Sequence, residues 1–340
     1  MTTAELTKYV KDTARSSGAV LVGIAPIERF DPMPPFYDQP PEYGHPKFYV
    51  PDAKSVISYG MPMLNPVVDG PANAADVDME FIPPDFKHQW LDVFYNRIAH
   101  KVHDDMLEFI GQIVSQNLVM KGYEAMFFPT TGISIPPPAG TSYFDLWNRK
   151  GEYSKYSKFG YHHGPFSHRH AATRAGLGEF GLSNIVLTPE FGPRVRFNTI
   201  VTNAELDPDP LITKPICRRG KCGFICMKAC YVHAITLRND KEFTDFRSVD
   251  FEIDMNKIFI DTPSKSNPVR CMNRRKKCPE GPVRGDCMRG CPVGGGKRIL
   301  HNELKKLIKE EAGQPLRRYN KFGFDFTDEV LDKRELDKKE

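Results

Sequence analysis

The chain has 340 residues and a mass of 38.6 kDa, more than one hydrophobic core usually supports, so about two or three packed units are expected. It contains no run of about 18 apolar residues, which excludes a membrane-spanning helix by sequence. The formal charge of +4 and pI near 8.5 are compatible with a nucleic-acid partner, but the basic excess around the cysteines has a simpler cause, because it offsets the charge of their thiolates.

The N-terminal part of the chain is predicted to alternate between helix, strand and loop. Residues 2–16 have apolar side chains at helical spacing, which predicts an amphipathic helix. The apolar run 19–25 predicts a buried strand. Residues 26–50 are rich in Pro, Tyr and Phe without periodicity, which indicates an ordered surface loop. A second short strand is predicted at 55–59.

The middle of the chain begins with a long predicted helix at 86–118. Its apolar residues recur along one side, which we interpret as a core-facing stripe. They are Trp90, Val93, Phe94, Ile98, Val102, Met106, Phe109, Ile110 and Ile113. The stretch 129–170 is irregular and long, which is typical of a functional loop. A short helix at 171–178 and strands at 184–188 and 195–201 follow.

The eight cysteines all lie between Cys217 and Cys291, in two groups of four. The groups are Cys217-x4-Cys222-x3-Cys226-x3-Cys230 and Cys271-x6-Cys278-x8-Cys287-x3-Cys291-Pro292. Four closely spaced thiolates with Pro after the final one are what an iron-sulfur cluster requires from a chain that wraps around it. The sequence therefore predicts two [4Fe-4S] clusters and a role in electron transfer.

Two other uses of the cysteines, disulfides and structural zinc, fit the sequence less well. A disulfide framework suits a short secreted domain, whereas this chain is long and has no apolar signal segment after Met1. Structural zinc favours two close pairs of cysteines, with about a dozen or more residues between one pair and the next. The first group here has three short gaps in succession instead. We therefore expect a cytoplasmic protein with reduced thiols.

Two sequence blocks indicate a family. The first block is Ala175-Gly-Leu-Gly-Glu-Phe-Gly181, with Leu187-Thr-Pro-Glu-Phe-Gly-Pro-Arg-Val-Arg196 and Ile200-Val-Thr-Asn-Ala-Glu-Leu206, and the second is the cysteine region with Ala229-Cys230 and Ala234-Ile235. Together they resemble the superfamily of reductive dehalogenases and epoxyqueuosine reductases, which are corrinoid iron-sulfur enzymes. The sequence from Leu187 to Arg196 resembles the dehalogenase branch more closely.

The resemblance implies an α+β fold, with a nitroreductase-like α/β core that binds a corrinoid (cobalamin) and a ferredoxin-like module that holds two [4Fe-4S] clusters. It divides the chain into an N-terminal α/β segment (1–80), the corrinoid-binding core (81–206), the ferredoxin-like module (207–300) and a C-terminal helix with a charged tail (301–340). Corrinoid binding would fall on Gly176, Gly178, Gly181 and Asn184, where the main chain approaches the macrocycle. Helix capping and a tight turn are the alternative interpretation of these glycines.

In two-cluster ferredoxins the last cysteine of each run binds the other cluster. Under that rule one cluster is held by Cys217, Cys222, Cys226 and Cys291, and the second by Cys271, Cys278, Cys287 and Cys230. The cysteine spacing differs from that of ferredoxins, and Tyr231 rather than Pro follows Cys230. The assignment of individual ligands therefore stays open.

The family places its proton donor upstream of Ala175, and the position of the epoxyqueuosine reductase Asp is occupied here by His162. A histidine can donate a proton near neutral pH because its ordinary pKa is about 6.5. Dehalogenases instead pair a tyrosine with a basic neighbour. The alternative proton donors are accordingly Tyr153, Tyr156 and Tyr161, with Arg169 or Arg174 as the basic partner.

The resemblance implies a reductase that acts through Co(I) on a small organic substrate such as an organohalide. It would receive electrons from a low-potential donor such as ferredoxin or flavodoxin. One alternative is an epoxyqueuosine reductase in tRNA modification, which His162 and the short charged C-terminal tail disfavour. The other is a ferredoxin-type electron carrier, for which the long stretch before the cysteines is larger than needed.

Overall fold

The computed structural model describes residues 1–31, 45–74, 95, 97–130, 166–218, 221–230, 235–236, 257–261, 265–266 and 285–293. The chain divides into two compact units that interleave along the sequence. The first unit takes Met1–Pro62, Val102–Gly178 and Val195–Thr213, and the second takes Met63–Lys101, Glu179–Arg194 and Lys214–Glu340.

Helices and strands are mixed along the chain, which confirms the predicted α+β class. The helices are α1 (Thr3–Ser16), α2 (Asn65–Ala74), α3 (His103–Val119), α4 (His168–Arg174), α5 (Ile225–Lys228) and α6 (Asp286–Gly290). The strands are β1 (Leu21–Pro26), β2 (Ser55–Pro62), β3 (Ala125–Phe127), β4 (Glu179–Phe180), β5 (Val186–Leu187), β6 (Val195–Thr202), β7 (Ile235–Thr236) and β8 (Lys265–Ser266). Short 3-10 helices occupy Ile27–Phe30 and Pro46–Phe48, and a π-helical turn, Arg97–Val102, precedes α3. No helix among the described residues has the length and apolar character needed to cross a bilayer.

The first unit is built on an antiparallel sheet with strand order β1-β2-β6-β3. In the central strands Ile57 pairs with both Ile24 and Ile200. Helices α1 and α3 pack on one face of the sheet, and α4 packs on the other. Nearly all residues of the central strands β2 and β6 are buried, because helices cover both faces of the sheet.

Helix α1 shows why the N-terminal prediction is confirmed. Thr2 and Glu5 form a capping box, in which the Glu5 N–H donates to the Thr2 hydroxyl at 3.2 Å and the Thr2 N–H donates to the Glu5 carboxylate at 2.7 Å. Leu6, Val10 and Ala14 then recur at helical spacing and are buried in the sheet-facing core. A cap and an apolar stripe together define this helix from local sequence alone.

The predicted core face of the long helix is wrong in part. Met106 is 42% exposed and Phe109 62% exposed, whereas Leu107 and Val114, which the predicted stripe left out, are buried. Two neighbouring stripes of α3 are apolar, and only the one that carries Leu107 faces the sheet. Of the predicted range 86–118, residues 86–94 and 96 lie outside the described residues.

The second unit contains a short β4-β5 hairpin, the β7-β8 pair and the helices α2, α5 and α6. A small apolar cluster joins Val68 of α2, Tyr95, Ala99 and Met288 of α6. The Arg289 Nε donates to the Val68 carbonyl at 2.5 Å, which ties α6 to α2. This unit contains all six of the described cysteines.

Candidate metal centre

Four cysteines from separated parts of the second unit line one pocket: Cys217, Cys222, Cys226 and Cys291. The rest of the wall is mainly apolar and includes Leu182, Leu187, Ile225 and Pro292. The pocket holds about 360 Å³ of space free of protein atoms, part of it open to solvent. This set of four is the one that the ferredoxin rule assigns to a single cluster.

The loop before α5 brings Cys222 and Cys226 to the pocket. Gly223 and Phe224 both have left-handed backbone, with φ of 71° and 57°, so the chain reverses sharply between the two cysteines. This conformation is ordinary for glycine but uncommon for phenylalanine. Helix α5 starts immediately afterwards and carries Cys226 on its first turn.

The end of α6 brings in Cys291. Its backbone is extended, with φ −62° and ψ 123°, because Pro292 disfavours helical geometry in the residue before it. A Cβ on Gly290 would lie 3.3 Å from the Ile225 side chain and 3.5 Å from the Ala229 Cβ. The missing side chain therefore allows α6 to approach α5 closely enough for Cys291 to join Cys226.

The cysteine sulfurs interact electrostatically. Desolvation is the main reason why the pKa of the Cys226 thiol lies well above its ordinary value. Charge on neighbouring sulfurs raises that pKa further, and they belong to Cys291, Cys222, Cys217 and Cys287. Thiolates packed in this way repel one another unless a positively charged group binds between them, and the thiolate is the form that ligates metal.

The donor chemistry of the pocket suits a soft metal ion or an iron-sulfur cluster. Among the described residues, no three His, Cys, Asp or Glu side chains are arranged to hold one metal ion. Four thiolates are nevertheless spread around a common pocket, and thiolate ligands select zinc, copper(I) or iron-sulfur clusters.

The remaining cysteines are placed only in part. Cys230 and Cys287 are partly exposed and do not line the pocket, while Cys271 and Cys278 lie outside the described residues. All six described cysteines are free thiols. Both predicted clusters therefore stay predictions, and the ligands of the second are only partly described.

Glu179 of β4, which sequence reasoning missed, holds the chain at Cys217. Its side chain is fully buried, and Oε1 accepts hydrogen bonds from the backbone N–H groups of Ile216 at 2.5 Å and Cys217 at 2.6 Å. Its Oε2 accepts from the N–H of Phe259 at 3.3 Å. Glutamate is seldom fully buried, so its residue type gave no reason to expect this contact. The available sequence signal for Glu179 was its position within the Gly-rich block Ala175–Gly181.

The predicted corrinoid residues have local structural roles. Gly176 has φ +74° and forms the C-terminal turn of α4, in which the N–H of Leu177 donates to the Ala172 carbonyl. A Cβ on Gly176 would lie 2.0 Å from the Pro210 carbonyl oxygen, so this space is already filled by protein. The capping alternative thus accounts for Gly176, and no described residue is assigned to a corrinoid by geometry.

The other three predicted corrinoid residues, Gly178, Gly181 and Asn184, lie at the end of this turn and in the β4-β5 hairpin. Gly178 is buried and ends the Val102–Gly178 segment of the first unit. Gly181 lines the cysteine pocket, and the N–H of Asn184 donates to its carbonyl at 2.9 Å. Asn184 is buried with φ 58°, which suits the tight turn between β4 and β5. Their proposed contact with a corrinoid stays a prediction.

The predicted catalytic residues are mostly untested by the structure. His162, Tyr161 and Tyr153 lie outside the described residues. Arg169 lies on α4 with an exposed side chain. Arg174 is buried, and its Nε donates to the Arg29 carbonyl at 2.8 Å.

His168, at the start of α4, forms polar contacts that local sequence does not mark. Its Nε2 donates to the Pro129 carbonyl at 2.9 Å, and its Nδ1 lies 3.0 Å from the Thr199 hydroxyl. Desolvation lowers the pKa of His168 to about 4, and the Pro129 hydrogen bond and the Asp104 charge oppose this only in part. The ring is therefore neutral at physiological pH.

Comparison with known proteins agrees with these motifs. No protein-family model matches the sequence. The chain is 30% identical over 142 residues to the tetrachloroethene reductive dehalogenase of Sulfurospirillum multivorans. That match covers 40% of this chain and 25% of the dehalogenase, so the chain corresponds to only part of that protein.

Two solved structures share the fold. An epoxyqueuosine reductase superposes with a TM-score of 0.52 at 17% identity, over 87% of this chain and 67% of that chain. A reductive dehalogenase studied for B12-dependent dehalogenation gives a TM-score of 0.52 at 15% identity, over 92% of this chain and 34% of that chain. Both kinds of relative are reductases. Over part of its length the chain is therefore similar in sequence to a reductive dehalogenase, and it shares its fold with an epoxyqueuosine reductase and a reductive dehalogenase.

Proposed function

We propose that this protein is an iron-sulfur and corrinoid-dependent oxidoreductase of the dehalogenase-like kind, acting on a small organic substrate such as an organohalide. The observation that carries the proposal is the pocket lined by Cys217, Cys222, Cys226 and Cys291. Similarity to a tetrachloroethene reductive dehalogenase supports the choice of branch. The reaction replaces a carbon-halogen bond with a carbon-hydrogen bond, consuming two electrons and one proton and releasing halide.

Two [4Fe-4S] clusters would be held by the eight cysteines, which form a ferredoxin-like module within residues 207–300. Cys217, Cys222, Cys226 and Cys291 would bind the first cluster, and Cys230, Cys271, Cys278 and Cys287 the second. When bound, clusters of this kind carry single electrons at low potential. A low-potential donor such as ferredoxin or flavodoxin would supply them.

A corrinoid, cobalamin, is proposed from the relatives. One structural neighbour was studied for B12-dependent dehalogenation, and the sequence block from Ala175 to Gly181 resembles its family. When bound and reduced to Co(I), the corrinoid supplies electrons to the substrate. The nitroreductase-like core at 81–206 would hold it, with residues 1–80 and 301–340 as flanking segments.

The protein itself must supply the proton, and we propose His162 as the donor. An imidazole can hold and release a proton near neutral pH. In anaerobic holo-protein, His162→Ala should leave the reduction of cobalt intact and lower turnover. Unchanged turnover would move the role to Tyr153, Tyr156 or Tyr161, with Arg169 or Arg174 as basic partner, to be separated by single Tyr→Phe variants.

The second candidate is epoxyqueuosine reduction in tRNA modification. The structural match covers 67% of the epoxyqueuosine reductase chain and 34% of the dehalogenase chain, and both share the fold. The change of the expected Asp to His162 argues against it. A direct assay of both substrates decides between them.

The test is expression without oxygen and with cobalamin supplied, followed by assays with a strong one-electron reductant. Halide release from a panel of bromo- and chloro-organic compounds supports the dehalogenase-like function. Conversion of epoxyqueuosine in a tRNA stem loop supports the alternative. Iron-sulfur absorbance without corrinoid absorbance, and no turnover of either substrate, would indicate a ferredoxin-type electron carrier and overturn both.

A further inference from the structure

A buried carboxylate lies directly behind the first predicted cluster ligand. Glu179 is 0% exposed, and its two oxygens accept three backbone N–H groups, from Ile216, Cys217 and Phe259. An ionised carboxylate only accepts hydrogen bonds, so it matches a set of converging donors. The proposed function assigns no role to the carboxylate of Glu179.

The carboxylate joins three segments of the second unit. Strand β4 provides Glu179, the segment at 216–217 provides two of its donors, and Phe259 provides the third. The backbone of Phe180 also donates to the Phe259 carbonyl at 2.7 Å, so the contact between β4 and residue 259 does not depend on the carboxylate alone. The 216–217 segment, by contrast, is held to β4 by the two hydrogen bonds that its N–H groups donate to Glu179 Oε1.

The same strand continues into the wall of the cysteine pocket. Gly181, Leu182 and Ser183 follow β4 directly and line the pocket together with Cys217. Glu179 Oε1 lies 2.6 Å from the backbone nitrogen of Cys217, so the carboxylate is within one residue of the Cys217 sulfur. At such short range in a buried site, a charge is only weakly screened by solvent.

We propose that Glu179 is a positioning residue for the first cluster and that its charge lowers the reduction potential of that cluster. Adding an electron increases negative charge, and a nearby buried anion opposes this. The Cys217 N–H is engaged by Glu179, so it is less available as a donor to sulfur, where hydrogen bonds favour the reduced state. The inference rests on the proposed function, because it requires that the cysteines bind a cluster.

Two buried cations in the same unit act in the opposite direction. Lys228 lies on α5 between Cys226 and Cys230, and Arg289 lies on α6 between Cys287 and Cys291. Their charges favour reduction of a nearby cluster. The absolute potential thus reflects several charges, and the effect of Glu179 must be measured as the difference between two variants that differ only in this charge.

The test is a redox titration of the anaerobic holo-protein, followed by EPR spectroscopy. Glu179→Gln keeps the shape of the side chain and one acceptor oxygen for Ile216 and Cys217 but removes the charge. Iron and sulfide contents should be unchanged, and one of the two midpoint potentials should rise by at least about 59 mV, a tenfold change in the equilibrium constant for a one-electron couple. Glu190→Gln, at an exposed position between β5 and β6, should leave both potentials unchanged.

Each other result has a defined meaning. Both clusters present with both potentials unchanged in Glu179→Gln would overturn the inference. If Glu179→Gln fails to retain the cluster, Glu179→Asp decides, because it keeps the charge: a potential close to wild type supports the inference, and a raised potential overturns it. Wild-type protein without iron and sulfide would overturn the proposed function itself, which distinguishes that failure from failure of the inference.

Discussion

Arg194 and Asp69 form a buried, two-pronged ion pair: the Arg194 Nη1 and Nη2 donate to the two carboxylate oxygens of Asp69, each at 2.8 Å. The side chains are 2% and 3% exposed. Arg194 Nη1 also donates to the Asn65 side chain at 2.9 Å, so the pair fixes α2 against the segment before β6. Arg194 belongs to the block that resembles the dehalogenases, and its position in the structure gives that motif a scaffold role.

Breaking this pair should destabilise the protein strongly. Asp69→Asn leaves the Arg194 charge buried without its counter-charge, which typically costs about 3–5 kcal/mol. The thermal midpoint of the anaerobic holo-protein, followed by far-UV circular dichroism, should fall by roughly 6 °C or more. Asp12→Asn, which removes the exposed partner of Lys8, should shift it far less, and equal shifts would contradict this account.

Gly176 should resist substitution because of its neighbour and not only because of its backbone angle. Gly176 and Gly122 both have positive φ, +74° and +87°, but a Cβ at Gly122 would meet nothing within 4 Å. Gly122→Ala should therefore cost about 1–2 kcal/mol from the left-handed backbone alone. Gly176→Ala should cost roughly 2 kcal/mol more, because the new Cβ collides with the Pro210 carbonyl.

The measurement is thermal unfolding of both glycine variants, with and without cobalamin supplied during expression. The excess loss at Gly176 should be present in both preparations. A loss that occurred only with cobalamin would show that the residue is needed for cofactor binding and not for the turn after α4.

His168 should make stability depend on pH in the acid range. The pKa is about 4 in the folded protein and 6.5 as its ordinary value, so the unfolded chain binds more protons between these limits. Stability should therefore be unaffected by this residue above pH 6.5 and fall as the pH decreases below it. From pH 7 to pH 5 the loss should be at most roughly 2 kcal/mol, which is set by the difference in proton binding between the unfolded and folded chain over this range.

His168→Gln removes the titrating group, and thermal midpoints at pH 7 and pH 5 compare its slope with that of the wild type. A shallower slope in the variant is expected. His45→Gln, which removes the ring that pairs with exposed Asp31, is the control and should keep the His168 contribution. The same slope in wild type and His168→Gln would contradict the assignment.

Pairs of cysteine substitutions test which ligands share a cluster. With crossed ligation, Cys226 and Cys291 bind the same cluster, so the double Cys→Ala variant should retain about four iron atoms per chain. The Cys226, Cys230 double variant should lose ligands from both clusters and retain almost none. Ligation within each sequence group would reverse the two results, and iron and acid-labile sulfide analysis distinguishes them.

Local sequence predicted the parts of the fold that are set locally. The capping box of Thr2 and Glu5 defines α1, and the buried apolar runs define β1 and β2. The face of α3 was not predictable in the same way, because Met106 and Phe109 are as apolar as the buried Leu107 and only the sheet selects between the two stripes.

Only part of the candidate site, likewise, could be predicted from local sequence. The spacing of the cysteines predicted two groups of four, and only the ferredoxin rule joined Cys291 to Cys217, Cys222 and Cys226. The structure places Cys291 beside Cys226 through the packing of α6 on α5. The contacts of Glu179 with Cys217 and of His168 with Pro129 join residues 38 and 39 positions apart. No local pattern marks such contacts, because they depend on how the segments meet in three dimensions.

The central claim is that the cysteine pocket holds an iron-sulfur cluster, and the most direct test is metal and sulfide analysis of protein purified without oxygen. About eight iron atoms and eight acid-labile sulfides per chain are expected from two [4Fe-4S] clusters. Zinc in place of iron, with no acid-labile sulfide, would contradict the claim.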